Sequence, residues 1–234
     1  MTQAACSVKH LCPAAIALAI VASTVMTTFA QTRPAGPTAT DIYHVMFVKA
    51  QPGQAAALAK ELQQQDPKDP MASHFVLLRH QEGDDWDYCL IQHVGPTATV
   101  AITPPTPPAN PPTTAWHNDT FVAGPAWAEF SKLMNGPSTS VFVVGVHRAV
   151  PGHRDQLREV LNRPDPAAKV PVSRVTLAHL EGGTWQFVSV DRYNSWQDFG
   201  TDRTSTAAGE EGWLEVRQHS ASHSDTIADR VTPK

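Results

Sequence analysis

Histidine is the side chain whose proton leaves near neutral pH, and this chain carries 11 of them. Two sit in short apolar stretches that read as strands, His44 within 42–48 and His147 within 141–147. Alternation puts His44, Met46 and Val48 on one face of the first stretch and Val143, Gly145 and His147 on the matching face of the second. The opposite faces, Tyr43, Val45, Phe47 and Phe142, Val144, Val146, stay apolar in both. They are expected to meet the helices, leaving the divergent face to line a pocket. A later stretch adds Ser189 and Asp191 where its counterpart has Leu90 and Gln92. A carboxylate can fix an imidazole tautomer, so His147 and Asp191 form the candidate catalytic pair, with His44, Met46 and Ser189 as candidate ligand-binding residues. The alternative is a set of ordinary hydrogen-bonded or solvent-facing side chains.

A second pattern, His-x-Glu-Gly-x-x-Trp, occurs at 80–86 and again at 179–185. His and Glu two apart share a strand face and so invite a metal or acid/base reading. The scaffold reading is preferred: glycine supplies a turn, tryptophan caps a strand, and a pocket needs one site rather than two identical turns. His117/Asp119 and His223/Asp225, which also recur, are read the same way. Zinc-protease, structural-zinc, serine-hydrolase, phosphate-loop and covalent-haem motifs are absent, so no metal is assigned. Noncovalent haem needs only a placed histidine and an apolar cavity, and stays open as an alternative to no cofactor.

These residues are positioned by a repeated order of elements. Residues 42–94 align with 141–193 at a constant offset of 99 without a gap, pairing Pro52-Gly53 with Pro151-Gly152, Leu58 with Leu157, Leu62 with Leu161, and Trp86 with Trp185. His117 to Phe121 are echoed at His223 to Ile227. Each copy reads as a strand ended by Pro-Gly, a helix with apolar residues three and four apart and closed by Asp-Pro, a hairpin, and a fourth strand at 119–123 or 225–231. The second copy adds short helical segments at 195–199 and 212–216, with Ser195 as a possible N-cap. At the same place the first copy has a proline-rich loop, 96–112, in which seven prolines forbid a regular helix. This loop reads as a linker, with a docking site for a proline-binding partner as the sharper alternative.

A tandem βαββαβ order, the Pro-Gly exit from strand one and the exit Arg192-Tyr-Asn-Ser-Trp196 from strand three resemble the dimeric α/β-barrel superfamily. That group includes antibiotic-biosynthesis monooxygenases, EthD-like and NIPSNAP-like proteins and haem enzymes such as chlorite dismutases. The resemblance implies an α+β fold of two fused ferredoxin-like repeats, their antiparallel sheets packed face to face as an intrachain α/β barrel. It implies binding, and possible oxidation or other conversion, of a small hydrophobic or aromatic compound between the sheets. A non-catalytic interaction module is the remaining alternative.

The N-terminus carries Lys9, an apolar run at 13–25 and Thr28-Phe-Ala30, the form of a signal peptide over 1–30 with small residues ahead of the cut. The run is shorter than the roughly 20 residues of a spanning helix. A periplasmic or secreted protein with no membrane attachment after cleavage is expected. Cleavage removes Lys9 alone among charged residues, so the net charge of -4 becomes one unit more negative, and nucleic acid is not an expected partner. It also leaves Cys89 as the sole cysteine, in a stretch that marks it as a buried small hydrophobe. The expected plan is a segment at 31–41, a first repeat at 42–124, a connector helix at 125–140, a second repeat at 141–231 and a tail at 232–234. Because the internal pairing covers the face that single-repeat relatives use to dimerise, a monomer or weak oligomer is expected.

Overall fold

The computed structural model describes residues 39–64, 71–100, 112–164, 168–181, 183–204 and 209–232. The expected signal peptide, all but the end of segment 31–41 and the prolines of 101–111 lie outside them. Strand β1 (Asp41–Ala50) leads through a turn into helix α1 (Ala55–Gln63), then β2 (Phe75–Glu82), β3 (Tyr88–Pro96) and β4 (Thr114–Gly124). Helix α2 (Trp127–Met134) follows, then β5 (Val141–Ala149), α3 (Arg154–Leu161), β6 (Ser173–His179), β7 (Phe187–Tyr193), α4 (Trp196–Thr204), α5 (Gly209–His219) and β8 (Ser220–Arg230). The turns after β1 and β5 place Gly53 and Gly152 at φ +79° and +83°, a left-handed conformation that glycine adopts without steric cost. The fourth strands start earlier than expected, at Thr114 and Ser220, and α4 and α5 are longer than the segments read from sequence. Ser195 does cap α4, its Oγ accepting the Asp198 N–H at 3.1 Å. Among the described residues no helix is long and apolar enough to cross a membrane.

The strands close into one barrel in the order β1-β3-β2-β8-β5-β7-β6-β4. Instead of two sheets merely facing each other, the edges are hydrogen-bonded, β2 to β8 and β4 to β6, and every pairing is antiparallel. Closure removes the open edges that two separate sheets would expose.

Closure also corrects the expected orientation of the strands. Tyr43, Val45 and Phe47 do not face helices; with Phe142, Val144, Leu78, Ile91, Leu177 and others they form one apolar cluster drawn from all eight strands, the filling of the barrel. The divergent face of β1 and β5 points outward. Val48 and, partly, Met46 pack with Leu58 of α1, and Val143 packs with Tyr193 and Phe199 of the α4 side. The physical reason is that an eight-stranded barrel is filled by its own side chains, so the interior is where both halves keep apolar residues. Cys89 is buried in that interior, and burial pushes its thiol far above the ordinary range.

Helix α2 packs against the interior cluster through Phe130 and Met134. Asp41 Oδ2 accepts the Trp127 N–H at 2.9 Å and also meets His93 Nε2 at 2.8 Å, while Trp127 stacks on His93 and His74. At the other end of the helix, Arg192 donates to the Leu133 carbonyl and Arg230 to that of Met134. The two helix termini are thereby matched to opposite charge.

Candidate functional site

The strand registers align the outer faces of the two halves row by row. In the first half one row runs Leu77, Leu90, Met46, Asp119. In the second the same row runs Thr176, Ser189, Gly145, Asp225. The neighbouring row is Arg79, Tyr88, Val48, His117 in one half and Ala178, Phe187, His147, His223 in the other. Three bulky apolar side chains under α1 are therefore replaced by two hydroxyls and a glycine.

At that glycine the face opens. A Cβ on Gly145 would lie 2.7 Å from His147 Nε2, 2.7 Å from Ser189 Oγ and 3.0 Å from Asp225 Oδ1. Three polar atoms converge on the space left by one missing side chain. In the first half a single apolar cluster spans this region. In the second it is divided, with Ala149, Leu157, Leu161 and Phe187 under α3 and α5 on one side and Val141, Val143 and Tyr193 near α4 on the other. The polar strip runs between them.

His147 is buried and its Nε2 is hydrogen-bonded to Ser189 Oγ at 2.8 Å. Its Nδ1 and the Thr176 hydroxyl are buried without a hydrogen-bond partner among the described residues. Burial first, then the neighbouring His223 ring stacked at 6.2 Å, pushes the His147 pKa down to about 4, against a smaller opposing pull from Asp191. The imidazole is therefore neutral at pH 7. Asp225 moves the other way: burial raises its carboxyl above the ordinary range, although Arg203 at 4.0 Å opposes this. Asp191 accepts two hydrogen bonds from Arg174, both at 2.5 Å. Burial alone would lower the guanidinium pKa, and the bonds and charge of Asp191 outweigh it, so Arg174 stays charged.

Of the residues singled out from sequence, His147, Ser189 and Asp191 share this patch. His44 and Met46 do not join them. They lie on the outer face of β1, separated from β5 around the barrel by β3, β2 and β8. His44 Nε2 is 3.5 Å from Asp119 Oδ2, and burial lowers its pKa despite that carboxylate. Nor does the patch face a space between sheets, because the interior there is filled. Asp191, bound at both oxygens by Arg174, is placed to orient rather than to exchange a proton. Sequence reasoning passed over Gly145, Thr176, Arg174 and Asp225. The signal for the first two was present at the constant offset, where Met46 becomes Gly145 and Leu77 becomes Thr176; Asp225 was set aside because Asp119 matches it.

The recurring His-x-Glu-Gly-x-x-Trp histidine acts at the barrel seams. His179 stacks on Trp185 at 4.4 Å, donates from Nδ1 to the Trp185 carbonyl at 2.9 Å, and receives the Thr120 hydroxyl of β4 on Nε2. That bond crosses a seam where, among the described residues, two register pairs, Val122 with His179 and Ala123 with Ala178, join β4 to β6. In the other half the Thr226 hydroxyl oxygen accepts the Asp84 N–H at 3.1 Å, and His80 Nε2 is left without a partner among the described residues.

No family model matches the chain, and no curated protein matches it. Solved structures do. It superposes on a protein provisionally named a monooxygenase, from Lactobacillus acidophilus NCFM, with a TM-score of 0.52 and 8% identity over 82% of this chain and 95% of that one. It superposes on an anthrone oxidase-like protein with a TM-score of 0.55 and 15% identity over 85% of this chain and 94% of the other. At such identities the likeness is one of architecture, an α+β fold of ferredoxin-like, barrel-forming type.

Proposed function

We propose that this is an exported protein of two fused ferredoxin-like repeats that binds, and oxidises or otherwise converts, a small hydrophobic or aromatic compound on the outer face of its second half. One observation carries the reading: the apolar layer Leu77, Leu90, Met46 of the first half becomes Thr176, Ser189, Gly145 in the second, with His147 and Asp225 aimed into the gap. The buried Thr176 hydroxyl and the Nδ1 of a neutral His147, both without partners among the described residues, cost stability unless a ligand satisfies them. Apolar clusters on both sides offer walls for a flat hydrophobic body, and the polar strip offers the few hydrogen bonds that orient it.

The opposed pKa directions divide the roles. His147 is held neutral and can present an N–H or a lone pair; Asp225, with its carboxyl raised, is the better proton acceptor. For a keto aromatic such as anthrone, Asp225 would take the ring methylene proton, and the Ser189 hydroxyl, itself accepting the His147 Nε2–H, would donate to the resulting enolate oxygen. Dioxygen is the oxidant: it adds to the carbanion carbon, and the hydroperoxide loses water as its O–O bond breaks. One anthrone and one O2 thus give one anthraquinone and one water. Arg174 and Asp191 act as positioning residues at the end of the strip.

Anthrone in aerated buffer is the first probe, followed by the rise of anthraquinone absorbance against a protein-free blank. Acceleration by the wild type that is lost in Gly145→Ala and Asp225→Asn, with both variants still unfolding cooperatively, is the expected result. Acceleration that survives both changes would remove the site from this face. A Soret band formed on adding haem and abolished by His147→Ala would assign the site to haem instead.

A further inference from the structure

A second hollow lies inside the barrel, at the end away from α2, and shares no residue with the outer-face strip. It measures about 250 Å³. Its floor is Phe47 and Val146, interior residues at matching positions of β1 and β5, with Trp86 and Trp185 from the two recurring turns. Phe47 and Trp86 sit 5.6 Å apart at 50°, so their rings enclose the hollow from different directions. The rim is lopsided. The first half supplies Trp116, Asn118, Asp84 and Asp85. At the matching positions the second half has only Ser222, Ser224, Gly183 and Thr184. One side of the mouth is thus aromatic and acidic, and the other is small.

The charged side chains that line the mouth, Asp84 and Asp85, are both acidic. No lysine or arginine lines it among the described residues. Lys49, opposite Trp116 on β1, is ion-paired with Asp85 at 2.5 Å and Asp87 at 3.7 Å, and Arg148 stands at the matching position of β5 opposite Ser222, so Asp84 is the lining carboxylate that neither cation takes. Asp84 accepts a hydrogen bond from Ser224 at 2.6 Å and has no basic partner among the described residues. Trp116 is 37% exposed, a large ring left at the opening. Aromatic faces present negative potential, and a carboxylate at the rim adds to it, so the chemistry that fits is an organic cation with a bulky, weakly hydrated head. The volume is below the about 300–1,000 Å³ of pockets that bury drug-sized ligands, which points to a head group rather than a polycyclic body.

We propose that the barrel mouth framed by Trp86, Trp116, Trp185 and Phe47, with Asp84 at its rim, binds a small quaternary or alkylated ammonium group. The test titrates choline and its uncharged carbon isostere 3,3-dimethylbutan-1-ol into the full chain, read by calorimetry and tryptophan fluorescence. Choline should bind and the isostere should bind about tenfold more weakly or less. Trp116→Ala and Asp84→Asn, neither of which empties the core, should each weaken choline by about tenfold. Gly145→Ala should leave choline binding unchanged. Equal affinity for the isostere, unaltered choline affinity in both rim variants, or no binding of either choline or tetramethylammonium would each overturn the proposal.

Discussion

His147 carries a proton only at acid pH in the folded chain, and that has a thermodynamic signature. Its folded pKa is pushed down to about 4 from the ordinary 6.5, so the unfolded chain binds the proton first as pH falls. Its contribution is complete above pH 6.5 and is lost as the pH drops toward 4, a decline of about 3 kcal/mol at most. His147→Asn should flatten that part of the stability profile, measured by urea unfolding at a series of pH values; an unchanged slope would place the buried titration elsewhere. Asp225 acts with the opposite sign. Its raised carboxyl favours the protonated folded state, so it adds stability below the unfolded pKa and loses it as pH rises through the folded one. Asp225→Asn should therefore stabilise the protein at neutral pH and steepen its acid loss. At this scale His147, Ser189 and Asp191 were legible because their types differ from Val48, Leu90 and Gln92 at one offset. Their outward direction was not, because β1 carries apolar residues on both faces, Val45 on one and Val48 on the other, and alternation alone does not say which side is the interior.

At the level of elements, the hairpin turns and barrel seams hold what the recurring motif provides. Trp86 and Trp185 are 3% and 9% exposed, and truncating either to alanine should cost roughly 3–5 kcal/mol, read from chemical denaturation. Wild-type stability in both variants would contradict their part in the interior. The two motif histidines should not be equal. His179 is hydrogen-bonded on both ring nitrogens and stacked, whereas His80 Nε2 has no partner among the described residues. His179→Ala should therefore destabilise by about 1–2 kcal/mol more than His80→Ala. A reversed order would mean that the seam between β4 and β6 is not the weaker one. Element order was readable from Pro-Gly exits, helical spacings and repeated turns, since those are local signals. The added lengths of β4, β8, α4 and α5 were not, because Thr114 to Asn118 and Ser220 to Ser224 are polar and their strand conformation comes from the partners β1 and β5 across the ladder.

For the whole molecule, closing the barrel within one chain leaves no edge strand among those described, and a second copy has no sheet to extend. Sedimentation at micromolar concentration should show a monomer. A tight dimer would mean that the outer faces or helices assemble. The central claim is an asymmetry: the first half is sealed by apolar side chains, while the second keeps a polar strip whose Thr176 hydroxyl and His147 Nδ1 lack partners among the described residues, at a cost in stability. The most direct test is the melting temperature of Thr176→Val, which removes a buried hydroxyl without a partner among the described residues, beside that of the mirror variant Leu77→Thr. Unpartnered buried polar groups cost about 1–3 kcal/mol each, and about 2–4 °C accompanies each kcal/mol in a chain of this size. The account predicts that removing the Thr176 hydroxyl raises the melting temperature by several degrees, while the mirror change lowers it. A fall in both variants would contradict it, because the strip would then be a satisfied part of the fold rather than a site held open.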